Sequence, residues 1–118
     1  MFTFNNAKSR RNKYHAVKTM IDGLTFDSKK EATRYRELKL LEKQGLITDL
    51  KLQPAYLLQE GFRYAGKMVR SVQYFADFEY KQNGKIIVED TKGMETDVFK
   101  LKRKLFWFRY PELELRVF

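Results

Sequence analysis

The sequence contains no cysteine, which excludes disulfide bonds, thiolate metal ligands and cysteine nucleophiles. Histidine occurs once, at His15. A zinc site built from several histidines is therefore excluded, and His15 is better explained as a phosphate or packing contact than as a catalyst. Acidic residues are also few, with 15 Asp and Glu against 24 Lys and Arg. The chain therefore carries a clear excess of positive charge.

Long hydrophobic runs are absent as well. No stretch approaches the roughly 20 apolar residues of a membrane span, and residues 1–16 have neither the apolar core nor the cleavage-like end of a signal peptide. The 118 residues, 43% of them hydrophobic, suit one globular domain with a single core. We therefore expect one domain over residues 18–118, in an intracellular protein that does not enter a membrane.

The net charge of +9 and the pI near 9.8 are typical of a protein that binds a polyanion. Residues 1–17 form a basic arm without a single acid. We expect nucleic acid as the partner, ahead of an acidic protein or an anionic membrane surface. The arm is alternatively a solvated tail, which is compatible with ordering on DNA. The candidate phosphate contacts in and beside the arm are Lys8, Arg10, Arg11, Lys13 and Lys18.

Asn83-Gly84 predicts a two-residue hairpin turn of type I′. The segments on both sides alternate and are rich in β-branched and aromatic residues, so we expect two antiparallel strands. With these two residues as the loop, Asp77 faces Asp90 across the strands. Lys92 lies two residues beyond Asp90 on the same face.

Two facing aspartates destabilise a sheet unless something compensates their repulsion. A divalent cation is the obvious compensating ligand. The alternative is an exposed sheet edge on which Lys92 simply pairs with the acids. Alternation places Glu89 and the Thr91 side chain on the other face, which excludes Glu89 from the site.

The strand before the turn is predicted to follow a turn over residues 60–66 and to run without a break over residues 68–81. Its alternation assigns one face to Tyr74, Ala76, Phe78 and Tyr80, and the other to Phe75, Asp77 and Glu79.

Residues 28–44 contain good helix formers, neither Gly nor Pro, and stop at Gly45, which predicts a helix. Glu31 has two interpretations. In one, it completes a capping box with Ser28. In the other, it begins a partly apolar stripe with Tyr35 that faces the sheet, where a carboxylate needs a partner or a metal. In the second case Glu31 would complete the pair of aspartates.

Three shorter extended segments are predicted: a hairpin over residues 18–26, a strand over residues 46–53, and a buried strand over residues 113–118. Gln53 ends the second of these. It either lines the site or serves in ordinary packing at the strand end.

A second helix is predicted to begin at Thr96 or Asp97 and to end at about Tyr110, before Pro111. Its spacing indicates a core stripe of Val98, Leu101, Leu105 and Phe108. The rest of the helix is basic and aromatic, which suits phosphate contact with stacking, a dimer interface or a solvated face. The basic candidates are Lys100, Lys102, Arg103, Lys104 and Arg109.

If Glu31, Asp77 and Asp90 converge, three carboxylates and the Thr91 backbone carbonyl would suit Mg²⁺ or Mn²⁺, which prefer oxygen ligands. The metal would polarise a phosphodiester and activate a bound water. Lys92 would position that water and stabilise the developing charge.

The set of Glu31 on a helix, Asp77, and then Asp90-Thr91-Lys92 at the end of the next strand resembles the PD-(D/E)XK nuclease superfamily. Ala76 stands where that superfamily usually has proline. The blocks NKYHAVKT, DGLTFDSKKEATRYRELKLLEKQGLI, LKLQPAYLL, YFADFEY and VEDTKGMETDVFKLKRKLF together resemble a family of small phage-encoded members. The resemblance covers residues 12 to about 106.

The resemblance implies a mixed α/β fold, a restriction-endonuclease-like αβββαβ core with a mixed central sheet flanked by helices. It also implies an active site of Glu31, Asp77, Asp90 and Lys92, a homodimer, and cleavage of branched DNA such as Holliday junctions. The expected protein is a Mg²⁺-dependent endonuclease of phage recombination or replication, in the cytoplasm of the bacterial host. The alternative is a non-catalytic DNA-binding module that recruits replication or recombination partners, and an RNA-binding protein is favoured by the charge alone.

Overall fold

The computed structural model describes residues 18–118. Lys8, Arg10, Arg11 and Lys13 of the predicted arm lie outside the described residues. The chain divides into two compact units, Met1–Leu40 and Leu41–Phe118. In chain order the elements are β1 (Thr19–Ile21), β2 (Leu24–Phe26), α1 (Lys29–Lys43), β3 (Thr48–Leu52), β4 (Ala55–Gln59), β5 (Phe62–Tyr64), β6 (Lys67–Val69), β7 (Val72–Phe75), β8 (Phe78–Gln82), β9 (Lys85–Asp90), α2 (Asp97–Arg109) and β10 (Glu114–Val117).

The described part of the first unit is a hairpin followed by most of α1. Asp22 and Gly23 turn the hairpin with φ of 54° and 76°, the left-handed pair that a type I′ turn requires. The Tyr35 hydroxyl donates a hydrogen bond to Asp22 at 3.1 Å, and the Tyr35 ring packs on Phe26 with centroids 5.0 Å apart. These contacts confirm the predicted hairpin and tie it to α1.

Both ends of α1 are fixed by local chemistry. Ser28 Oγ accepts a hydrogen bond from the Glu31 amide at 3.1 Å, which is the Ser28 half of the predicted capping box. At the other end, Gly45 has φ of 76°. The amides of Gly45 and Leu46 donate to the carbonyls of Glu42 and Leu41, the bond pattern of a Schellman motif.

The second unit contains a mixed four-stranded sheet in the order β10-β9-β8-β3. Strand β9 pairs antiparallel with β8 and parallel with β10. Gln82 faces Lys85 and Glu79 faces Val88, as the Asn83-Gly84 turn predicts. Both turn residues have positive φ, 53° and 78°. The hairpin register is therefore confirmed.

The continuous strand predicted over residues 68–81 is wrong. The chain forms β6, β7 and β8 there, and β7 pairs with β4 rather than with the four-stranded sheet. A separate exposed hairpin, β5–β6, turns at Ala65-Gly66 with φ of 50° and 78°. Alanine carries no preference for the left-handed conformation, so this turn has a weak sequence signal.

Helix α2 has the predicted caps, with Thr96 Oγ1 accepting from the Phe99 amide at 3.1 Å and Tyr110 at the C-cap. Its predicted core stripe is wrong. Phe99 and Phe106 are the buried residues of the helix, whereas Val98, Leu101 and Phe108 are exposed and Leu105 is half-buried. The helix packs on β4 and β7, whose aromatic side chains select the other face.

The core of the second unit is largely aromatic. The Phe106 ring lies 5.1 Å from Tyr56, 5.6 Å from Tyr74 and 5.4 Å from Tyr110, centroid to centroid. The predicted terminal strand exists as β10, but it is half-buried rather than buried. It lies at one edge of the sheet, which explains its partial exposure.

Candidate active site

Asp77 lies between β7 and β8, where the chain leaves one pair of strands and enters the other. Its amide donates to the Glu89 carbonyl at 2.9 Å, and its carbonyl accepts from the Gln53 amide at 2.8 Å. The Thr91 amide and hydroxyl both donate to Asp77 Oδ2, at 2.7 and 2.6 Å. Strand neighbours on both sides therefore fix the backbone, and Thr91 fixes the carboxylate.

The position of Thr91 differs from the prediction. Strand β9 ends at Asp90, so strand alternation no longer governs the direction of the next side chain. The Thr91 hydroxyl turns towards Asp77 instead of pointing away. The use of its backbone carbonyl as a metal ligand stays a prediction.

Asp90, the last residue of β9, is only 2% exposed. The Tyr74 hydroxyl donates to its Oδ2 at 2.5 Å, and Lys92 Nζ lies 3.2 Å from the same oxygen. Tyr74 comes from β7 in the neighbouring pair of strands. A buried carboxylate needs such partners, because its desolvation is otherwise costly.

Lys92 contacts three parts of the site. Beyond its ion pair with Asp90, its Nζ lies 4.8 Å from the centre of the Phe99 ring, a cation–π distance. Its amide donates to the Phe118 carbonyl, and the Phe118 amide donates to the Asp90 carbonyl, both at 3.0 Å. The ammonium group is thus held between Asp90 and the Phe99 ring and keeps partial access to solvent, with 28% of the side chain exposed.

The two aspartates perturb each other. Burial, followed by the negative charge of Asp90, raises the pKa of Asp77 to about 6, although the hydrogen bonds from Thr91 and the charge of Lys92 act in the opposite direction. Burial also raises the pKa of Asp90, against the opposing effects of Tyr74 and Lys92. Ionisation of one aspartate therefore makes ionisation of the other less favourable.

This coupling predicts a pH-dependent stability. Asp77 has a pKa of about 6 in the folded chain and 3.8 as an unperturbed residue. Its stabilisation is therefore full below pH 3.8 and is lost as the pH rises through about 6, a change on the order of 3 kcal/mol. In EDTA, urea unfolding should show Asp77→Asn gaining stability relative to the wild type over this range. A constant difference between the two proteins would contradict the assignment.

Glu31 is buried in the first turn of α1, in the first unit. Its place in the helix agrees with the predicted stripe, since Ala32, Tyr35 and Leu38 are the other buried residues of α1. Within residues 18–118, no group of three or more histidine, aspartate and glutamate side chains is placed to hold a metal ion. Glu31 as a third ligand stays a prediction.

The remaining buried acid of the sheet is Glu89, which is fully buried and accepts a hydrogen bond from the Tyr80 hydroxyl. Phe78 pairs with Glu89 and Tyr80 with Ile87, which places these side chains on the face opposite Val88 and Asp90. The sequence correctly separates Glu89 from the aspartate pair but gives no sign of its burial.

A model of the family described as "Protein of unknown function (DUF1064)" matches residues 11–118. The chain belongs to this family. No curated protein and no solved structure matches the chain. Neither helix of this DUF1064 protein is long and apolar enough, within the described residues, to cross a membrane.

The predicted DNA contacts of the DUF1064 chain occupy different environments. Lys18, Lys100 and Lys104 are exposed, and Lys102 is half-buried. Arg103 is largely occupied within the chain, because it pairs with Glu95 at 3.2 Å and stacks over Phe99 and Trp107. Arg109 is 3.7 Å from Glu60. The lysines of α2 are therefore better placed for phosphate contact than its arginines.

Three residues of the site were not assigned from the sequence: Tyr74, the Thr91 side chain and Phe99. Tyr74 is not predicted as a site residue because the predicted continuous strand places it on the face opposite Asp77. The break between β7 and β8 brings its hydroxyl to Asp90. Phe99 lies three residues after the Thr96 cap, and its buried ring lies beneath the Lys92 ammonium group.

Proposed function

We propose that this protein is a metal-dependent endonuclease that hydrolyses phosphodiester bonds in DNA. The observation that carries the proposal is the convergence of Asp77, Asp90 and Lys92 at one point. The half-buried carboxylate of Asp77 and the buried carboxylate of Asp90 interact there, and a lysine ammonium lies 3.2 Å from the Asp90 carboxylate. Titratable groups perturbed by burial and by a specific partner are typical of functional sites.

The order of the elements supports a restriction-endonuclease-like core for this mixed α/β chain. α1, β3, β8, β9, α2 and β10 follow one another as helix, three strands, helix and strand, with β4 to β7 inserted after the first strand. Asp77 precedes the second of these strands, and Asp90 ends the third. This arrangement agrees with the PD-(D/E)XK superfamily that the sequence resembles.

The donor atoms of the site fit Mg²⁺ or Mn²⁺, because all of them are oxygens. Among the described residues, Oδ2 of each aspartate receives the contacts from Thr91, Tyr74 and Lys92. The carboxylates of Asp77 and Asp90 are therefore the proposed metal ligands, with Glu31 and the Thr91 carbonyl as further ones. When bound, the cation would relieve the repulsion of the aspartates, polarise the scissile phosphate and lower the pKa of a water.

The side chains around the carboxylates orient them. Thr91 fixes the Asp77 carboxylate through two hydrogen bonds, and Tyr74 fixes that of Asp90. Lys92 places a positive charge beside both acids, where it can hold the attacking water and stabilise charge that develops on the phosphate. Phe99 restricts where that ammonium group can lie.

The resemblance extends the proposal to a homodimer that acts on branched DNA during phage recombination or replication, in the cytoplasm of the bacterial host. The charge of +9 supports a polyanionic substrate, and the exposed lysines of α2 provide phosphate contacts.

The test is a cleavage assay on duplex, flap, fork and four-way DNA with Mg²⁺, with Mn²⁺ and with EDTA. We expect products with either metal and none in EDTA. The Asp77→Asn variant should bind the same DNA but release no product. Products that persist in EDTA, or in the variant, would refute metal-dependent cleavage at this site.

A second outcome would support the DNA-binding module instead. In that case the wild type binds DNA with an affinity that falls steeply with salt, and no DNA form is cut with either metal. Preference for RNA in direct competition would favour the third class of protein.

A further inference from the structure

An open groove of about 820 Å³ lies in the second unit, between the end of the β5–β6 hairpin, strand β7 and helix α2. The residues that line it are Gly61, Met68, Val69, Arg70, Ser71, Val72, Gln73, Phe75 and Lys102. None of the residues assigned to the carboxylate site lines this groove, and the proposed function does not use it.

The groove has the charge of an anion-binding surface. Arg70 and Lys102 supply two cations, and no acidic residue is among the lining residues. Neither side chain forms an ion pair with any residue between 18 and 118. Both charges therefore remain for a ligand.

The groove also presents an aromatic ring. Phe75 is 61% exposed on β7, and Met68 beside the groove is 65% exposed. A large exposed ring next to free cations is the combination that stacks unpaired bases while holding their phosphates. An acidic peptide would engage the cations but has no flat base to place on the ring.

One residue that lines the groove lies close in sequence to the carboxylate site. Phe75 is two residues before Asp77, so their Cα atoms are at most about 7 Å apart. This distance is comparable with the spacing of successive nucleotides along an extended single strand. If a phosphate lies at Asp77, a base stacked on Phe75 would therefore belong to the adjacent nucleotide or to the one after it.

We propose that this groove binds unpaired nucleotides that flank the cleaved phosphodiester, with a base on Phe75 and phosphates on Arg70 and Lys102. Its place beside the cleaved bond rests on the proposed function. In an intact duplex the bases stack on each other and are not available to Phe75. The substrate class is therefore DNA with an unpaired segment, such as a flap or a fork, rather than a fully paired four-way junction.

Binding in EDTA tests the groove without cleavage. The probe is a flap DNA with 2-aminopurine at the first unpaired position. We expect the wild type to change the fluorescence of this base through stacking, and Phe75→Ala to abolish the change and weaken binding about 5- to 100-fold. Phe75→Trp should restore both. Tyr64→Ala, which removes an exposed aromatic ring outside the groove, is the matched control and should bind within twofold of the wild type.

Lys102→Met should lower the slope of log affinity against log salt concentration by about one, because one phosphate contact is lost. The fluorescence change should remain.

Unchanged binding and fluorescence in Phe75→Ala would overturn the proposal, as would an equal affinity for flap and fully paired DNA. Displacement of the flap DNA by a poly-glutamate peptide at equal charge concentration would assign the groove to acidic peptides instead. Base stacking without cleavage in Mg²⁺ would refute only the nuclease, whereas cleavage without stacking would refute only the groove.

Discussion

Replacing Lys92 with methionine is expected to lower the rate of Mg²⁺-dependent DNA cleavage by about 10²- to 10⁴-fold. Methionine keeps much of the length of the side chain and its contact with Phe99 but removes the charge beside Asp90. The attacking water and the phosphate would then lose the ammonium group of Lys92. Single-turnover cleavage at saturating enzyme measures the chemical step, and affinity for the same DNA in EDTA is measured alongside it.

The control for this experiment is Lys85→Met. Lys85 begins the same strand β9 but is exposed at the hairpin turn, so the substitution removes an equal charge far from the aspartates. We expect Lys85→Met to cleave at close to the wild-type rate. Equal losses in the two variants would mean that general charge, not the position of Lys92, sets the rate. Circular dichroism below the melting temperature of each variant checks that the fold is retained.

Replacing Phe106 with alanine is expected to lower the free energy of unfolding by about 3–5 kcal/mol. Phe106 has no exposed surface, and its ring lies against Tyr56, Tyr74 and Tyr110. Alanine would leave a cavity that these rings fill only in part. Because Tyr74 also holds Asp90, the loss should extend to the carboxylate site. Urea unfolding at one pH gives the difference from the wild type.

Phe108→Ala provides the matched comparison on the same helix. Phe108 is 87% exposed, so its removal should change stability by no more than about 0.5 kcal/mol. The sequence pattern alone predicts the opposite result, since it places Phe108 in the core and gives Phe106 no such role. A larger loss for Phe108→Ala than for Phe106→Ala would therefore favour the sequence pattern over the structure.

Local chemistry explains the parts of the fold that were predicted correctly. Asn83-Gly84 can adopt the two positive φ angles of a type I′ turn at little cost, and that turn fixes the register of both strands. Gly45 ends α1 and Thr96 begins α2 for equally local reasons. Each of these features depends on a few neighbouring residues, which a sequence displays directly.

The buried face of α2 could not be predicted in the same way. Its apolar residues form two stripes with helical spacing, one through Val98 and Leu101 and another through Phe99 and Phe106. Periodicity fits both stripes equally well. The choice is made by Tyr56 on β4 and Tyr74 on β7, which pack on the second stripe. Those contacts are distant in sequence and become visible only in the folded chain.

The candidate site was likewise predictable only where it depends on residues close together in the sequence. The turn register brought Asp77, Asp90 and Lys92 together correctly, because all three lie within one hairpin and its flanks. Tyr74 and Thr91 were placed on the wrong face, since each lies beside a point where regular alternation stops. A strand break or a strand end has no reliable signature in alternation alone.

Strand β10 has a consequence for how the chain reaches its folded state. It pairs in parallel with β9 and reaches it only by a crossover through α2, so the pairing needs a long loop closure and is expected to form late. Until then, β9 presents an unpaired edge that can recruit a strand from another chain. The backbone around Asp90 and Lys92 is complete only once Phe118 has docked. The same step that protects the chain from aggregation therefore finishes the carboxylate site.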